Sequence, residues 1–270
     1  MKRINYKKVL VAAVWILVIA GLGISLGFVA KSEKFIIARK LSVSIHNNEE
    51  NVFLTEKEVV NFFAERNERI INQPYSQIDI PSLEKALNAH SAVQNAEVSA
   101  DINGNVKVDI VQRTPVVRVI NKNGESYYID SESRIMPLNE NYSARTLVAT
   151  GEIYEPYARR YPYTVNQIRH NKNFSEVSLL DDILDVTDYI TGDTVLVKLI
   201  HQLNINKDGD LELYPVVGGH RIIFGPAINI ADKFNKLKLF YTQGLNKSDS
   251  WKKYSTINLK YKNLVVCTKK

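Results

Sequence analysis

Cysteine is nearly absent: Cys267 is the only one in 270 residues. No intramolecular disulfide can form, so a small disulfide-stapled scaffold is excluded and the fold must rest on ordinary apolar cores. Histidine is sparse as well. His46, His90, His170, His201 and His220 have no i, i+4 partner among themselves and no cysteine nearby, so the chain carries no metal-ligand signature and implies no metal or other cofactor. Gly219-His-Arg221 lacks both the nucleophile elbow and the glycine-rich phosphate loop. Asp182 and Asp185 share a face of an expected helix, where a solvated acidic face explains them better than a catalytic pair.

A basic excess is also missing from most of the chain. Lys2, Arg3, Lys7 and Lys8 are four of the 35 bases and no acid lies among the first eight residues, which leaves 31 bases against 29 acids. Nucleic-acid modules concentrate Lys and Arg far beyond this balance, so no nucleic-acid partner is expected. The sequence gives no small-molecule substrate site either.

The sharpest absence is local. From Val9 to Ala30, 22 consecutive residues contain no Asp, Glu, Lys, Arg, His, Asn or Gln. As a helix that stretch is about 33 Å long, enough to cross a bilayer's hydrocarbon layer. A buried soluble helix and a cleaved signal peptide are the competing readings. The run is long for a signal h-region, and Phe28 stands where a small residue is wanted before a cut after Ala30. Flanking bases tie at four on each side, with Lys31, Lys34, Arg39 and Lys40 following the run. Orientation therefore rests on the long segment behind the anchor, since long domains translocate largely regardless of charge. The expectation is a cytoplasmic tail over residues 1–8, a transmembrane helix over 9–30, and the remainder outside the cytoplasm.

Beyond it the pattern is α+β. Leu41 to Ile45 alternates as a strand; Thr55 with Glu58 forms a capping box before Val59, Val60, Phe62 and Phe63; Pro81 opens a second helix that stops near His90. Strands are expected at Val98-Ala100-Ile102 and Val106-Val108-Ile110 around Asn103-Gly104, completing a βααββ unit over residues 31–113. Residues 114–270 read as a larger β-rich unit. Hairpins are expected over Asn123-Gly124 and Asp208-Gly209, followed by a turn at Gly218-Gly219. Helices are expected over Leu179–Tyr189 and Ile230–Gln243, with Gly244 as a stop, while residues 152–175 show no clear element. Ile257, Leu259 and Tyr261 alternate, and Leu264 to Cys267 forms a short last strand with nothing after it to cover its outer edge.

Several stretches resemble the bacterial cell-division family FtsQ, also called DivIB. They are Phe53 to Val59, Gln112-Arg-Thr-Pro-Val116, Tyr128-Ile-Asp130 with Met136-Pro137, Leu213 to Gly225, and Ile257 to Lys262. Their order over residues 5–268 carries the resemblance. Two departures are Gln112, where many members have Glu, and Ile102-Asn103-Gly104, where many have Trp-Pro. The resemblance implies an anchor, a POTRA domain and a β-domain. It also implies a non-enzymatic scaffold in the plasma (inner) membrane, enriched at the division septum, that brings FtsB and FtsL there and helps govern septal peptidoglycan synthesis. In that family FtsB adds a strand to the last strand of the β-domain. Carried over, the partner-binding residues are Lys260, Tyr261 and Asn263, the strand Leu264, Val265, Val266 and Cys267, and the more distant Lys198. A POTRA-bearing accessory of protein translocation or envelope assembly is the alternative, and an anchored hydrolase a third.

Overall fold

The computed structural model describes residues 15–22, 36–46, 52–140, 142–171, 178–248 and 251–270. The chain forms two compact units. One holds the described residues up to 46 with Leu54–Gln112, and the other holds residues 52–53 with Arg113–Lys270. Residues 15–22 are helical and expose Trp15, Leu17, Ile19 and Leu22. The rest of the expected span, 9–14 and 23–30, lies outside the described residues; among those described, no helix is long and apolar enough to cross a membrane.

In the first unit, strand β1 (Lys40–His46) is followed by α1 (Glu56–Glu65), α2 (Ile80–Asn88), β2 (Val93–Ala100) and β3 (Asn105–Gln112). The sheet order is β1-β3-β2, with β1 parallel and β2 antiparallel to the central β3. The capping box forms as its residues dictate: Thr55 Oγ1 accepts from the Glu58 N–H, and the Glu58 carboxylate accepts from the Thr55 N–H. Helical spacing puts Val59, Phe63, Leu83 and Leu87 on the face that covers Val106, Val108 and Ile110, and all seven are buried. The expected alternation through Ile102 stops short. Ile102 is 79% exposed because Asp101 turns the chain, its carboxylate accepting from the N–H groups of Asn103 and Asn105. Gly104 has φ +91°, and a Cβ there would lie 2.6 Å from the Ile37 carbonyl oxygen.

The second unit contains β4 (Pro115–Ile120), β5 (Ser126–Asp130), β6 (Ile135–Pro137), β7 (Leu147–Gly151), α3 (Tyr157–Arg160) and α4 (Val165–His170). These are followed by α5 (Leu180–Thr191), α6 (Leu196–Leu199), β8 (Ile200–Ile205), β9 (Leu211–Pro215), β10 (Arg221–Gly225), α7 (Ile230–Leu239), β11 (Tyr254–Asn258) and β12 (Val266–Lys269). One nine-stranded sheet results, in the order β12-β11-β10-β9-β8-β7-β4-β5-β6. The hairpins over Asn123-Gly124 and Asp208-Gly209 form. Three neighbours pair in parallel, however: β4 with β7, β7 with β8, and β10 with β11. Parallel pairing demands crossovers: helices supply them between β7 and β8 and between β10 and β11, whereas β4 reaches β7 by way of β5 and β6. Ile183, Val186 and Ile190 of α5 and Phe234 and Leu237 of α7 are buried in the same core as Leu203, Leu213, Ile222 and Ile257 of the sheet.

The polar, Tyr-rich stretch 152–175 holds α3 and α4; α4 opens on a second capping box, Thr164 with Gln167. Gly244 does not stop the helix after α7. The turn widens to π geometry over Phe240–Leu245 and helix continues to Ser248. At the start of the unit, Gln112-Arg113-Thr114-Pro115 is structural. The Gln112 side chain accepts from the Leu54 N–H within the first unit. Arg113, 6% exposed, pairs with Asp130 at 2.8 Å and Glu132 at 3.1 Å within the second.

Candidate functional site: the open edge at β12

β12 occupies one end of the nine-stranded sheet and, among the described residues, pairs only with β11. Its N–H and C=O groups alternate between β11 and the outside. The Lys270 N–H donates to the Lys253 carbonyl, so in steps of two the N–H groups of Thr268 and Val266 also face β11. Those of Cys267 and Lys269 face outward. The bulge that shifts register between Tyr254 and Thr256 lies on β11 and leaves this alternation intact. Side chains divide the other way. Val265 and Cys267 are half-buried against the core, while Leu264 and Val266 are 62% and 46% exposed.

The strand is displaced two residues from the expected Leu264–Cys267. Asn263 takes a left-handed φ of 60°, so the chain is still turning there and Leu264 and Val265 only enter the strand. Upstream, the alternation Ile257-Leu259-Tyr261 is not one strand. β11 ends at Asn258, whose side chain accepts from the Lys260 N–H; Leu259 is buried and Tyr261 is 53% exposed. Tyr261 is therefore a surface group rather than core.

Lys260, Tyr261 and Asn263 line one side of a cavity of about 650 Å³, and Lys233 and Lys236 of α7 line the other. Lys236 Nζ donates to the carbonyls of Leu259 and Tyr261, tying α7 to the β11–β12 connection. Lys233 sits over the Phe224 ring at 4.7 Å and donates to the Pro226 carbonyl; burial pushes its pKa down, and Lys236 adds to the effect. Lys260 crosses Gly225, where a Cβ would meet its Cγ at 2.7 Å, and pairs with Asp210, which raises its pKa. Its charge already has a partner within the unit. Lys198 is not part of this group. It lies exposed in α6, and the strand that follows, β8, stands four places from β12, about 19 Å at ordinary strand spacing. Sequence reasoning missed Lys236 and Asp210, because neither a helix face nor a turn residue announces which distant loop it will meet.

Near the opposite end of β12, His220 is buried. Its Nε2 lies 2.7 Å from the Tyr241 Oη and its ring packs near Trp251, while Gly218 and Lys270 also face it. Burial holds its pKa below the ordinary value of 6.5; the nearby Gly218 backbone opposes this and the charge of Lys270 adds to it. A His with a lowered folded-state pKa binds protons more readily once unfolded, so its contribution is complete above about 6.5 and is lost as pH falls below that value. The second unit is therefore expected to melt lower at pH 5.5 than at pH 7.5, read by Trp251 fluorescence. The His220→Gln variant should show a smaller drop; an equal drop would assign the effect to other groups.

Other chemistry-bearing residues are satisfied structurally. Arg169 bridges Asp181 and Asp185, and burial together with those acids raises the pKa of Asp182. Burial also raises the Cys267 thiol, the reverse of an activated nucleophile. Among the described residues no group of His, Cys, Asp and Glu could hold a metal ion.

A βααββ unit joined to a β-rich unit with a free terminal edge defines a POTRA-bearing α+β class. The POTRA-like domain model matches residues 36–111, and the model for the FtsQ/DivIB, C-terminal related family matches residues 114–268. The chain belongs to the FtsQ/DivIB family. No curated protein matches it.

Proposed function

We propose that this chain is a membrane-anchored, non-enzymatic scaffold of the bacterial divisome. In this reading residues 9–30 hold it in the plasma membrane with residues 1–8 in the cytoplasm. Residues 31–113 and 114–270 form separate folding units outside, and partners of the FtsB and FtsL type bind by adding a strand to β12. The observation that carries the reading is the edge itself: β12 ends a nine-stranded sheet with the Cys267 and Lys269 N–H groups turned away from β11. Such an edge is either an aggregation hazard or a docking strand. Leu264 and Val266 offer apolar contact, Tyr261 and Asn263 extend the surface toward the lysine-lined cavity, and Lys269 discourages wrong pairing.

Proline substitution tests it, because proline removes one N–H. Lys269→Pro deletes an outward donor from an exposed position, whereas Val266→Pro deletes one that faces β11. In pull-downs of the full chain against the soluble segment of an FtsB-type protein from the same cell, Lys269→Pro should weaken capture about tenfold with the melting curve unchanged. Val266→Pro should lower the melting curve itself. Unchanged capture by a folded Lys269→Pro variant would remove strand addition at β12 from the account.

A further inference from the structure

The first unit also ends in a sheet edge, and that edge is occupied by its own side chains. In the order β1-β3-β2, β2 is terminal. The Asp101 N–H donates to the Asn105 carbonyl across the β2–β3 turn, so alternation turns Ala96, Val98 and Ala100 outward. Two of these three positions are engaged. Asn88 Oδ1 accepts from the Ala96 N–H at 3.0 Å and Asn88 Nδ2 donates to the Ala96 carbonyl at 2.9 Å, the same two-bond exchange that an opposing strand residue makes. Two residues on, the Glu84 carboxylate accepts from the Val98 N–H at 3.1 Å. Asn88 Nδ2 donates to the Glu84 carbonyl as well, which fixes the amide.

The geometry has a simple origin. Glu84 and Asn88 stand one turn apart on α2, a rise of about 6.0 Å, and alternate residues of a strand repeat at about 6.7 Å. Polar side chains at i and i+4 therefore meet successive outward groups of a strand lying beside the helix, while Leu83 and Leu87 hold the helix in the core. One turn earlier the residue is Ile80, which has no polar group to offer Ala100.

We propose that Glu84 and Asn88 make α2 a substitute strand that closes the β2 edge, so that this unit refuses strand partners until the two side chains are removed, and then pairs with the β2 of a second copy of the chain. Strand addition is thereby directed away from the POTRA-like unit. The inference stands on the first unit alone and is independent of whether β12 binds anything.

The test uses the full-length chain in detergent micelles and two readouts. In amide hydrogen exchange, Glu84→Ala should speed exchange at Val98 more than tenfold and Asn88→Ala should do so at Ala96, with Val108 and Ile110 unchanged. Glu84→Gln, which keeps an acceptor, should leave Val98 slow. In sedimentation velocity, E84A/N88A should run as a heavier species than the wild type at equal concentration, and adding Ala100→Pro should reverse the shift. Wild-type exchange at both amides, or wild-type sedimentation of a folded double variant, would overturn the proposal. Loss of slow exchange at Val108 and Ile110 would mean that the double variant has unfolded, and the single variants would then decide by the same exchange criterion.

Discussion

Replacing Arg113 by Ala is expected to cost the second unit about 3–5 kcal/mol, the usual cost of leaving a buried charge without its partner. Asp130 is 1% exposed and uses both carboxylate oxygens. Oδ1 accepts from the Glu132 and Arg134 N–H groups, shaping the turn between β5 and β6, while Oδ2 accepts from Arg113. Removing the guanidinium leaves the turn in place around an unneutralised carboxylate. Urea unfolding followed at Trp251 measures the loss, because the chain's other tryptophan, Trp15, belongs to a different segment. The double variant Arg113→Met with Asp130→Asn should recover part of the stability, since it removes both charges together. A loss below about 1 kcal/mol would place this pair with exposed ion pairs.

Phe234→Ala is the second large effect, also expected at about 3–5 kcal/mol. Phe234 is fully buried in α7, stacked on Tyr189 of α5 at 5.0 Å and packed on Phe224 of β10 at 4.9 Å. The residue thus joins both crossover helices to the sheet. Because α7 also carries Lys236, which holds the β11–β12 connection, the variant should lose partner capture at temperatures where wild type still binds. Capture that survives while stability falls would separate the edge from the helix beneath it.

How far the sequence could be read varies with the range of the interaction. Local rules were legible: the Thr55–Glu58 capping box, the Asn123-Gly124 and Asp208-Gly209 hairpins, and the strand alternation in β1 and β3 each involve residues close in sequence. Element ends were less so, since Asp101 and Asn258 stop strands through side-chain bonds that apolar periodicity does not record. The second capping box at Thr164 lay in plain view but was masked by the polar surroundings of a short helix. Parallel pairing was not legible at all, because β7 and β8 are joined only after more than one helix has intervened and no turn motif marks the union. Of the candidate site, the terminal position of the last strand followed from the sequence, but its register did not. That depends on the left-handed turn at Asn263, and the register decides whether Val266 or Lys269 presents its N–H to the outside.

The parallel pairing of β10 with β11 bears on when the β12 edge joins the sheet. An antiparallel neighbour can form as a local hairpin, but β11 can join β10 only after α7 and the π-turn have folded over the sheet, and closing that longer loop costs chain entropy. Among the described residues β12 pairs only with β11, and their antiparallel hairpin, even if it forms early, joins the sheet only when that crossover is seated. The outward N–H groups of Cys267 and Lys269 therefore become the edge of the nine-stranded sheet only on a molecule whose second unit has finished folding. On the proposed strand-addition reading, a partner that docks on this edge would thereby discriminate a finished sheet from a half-made one.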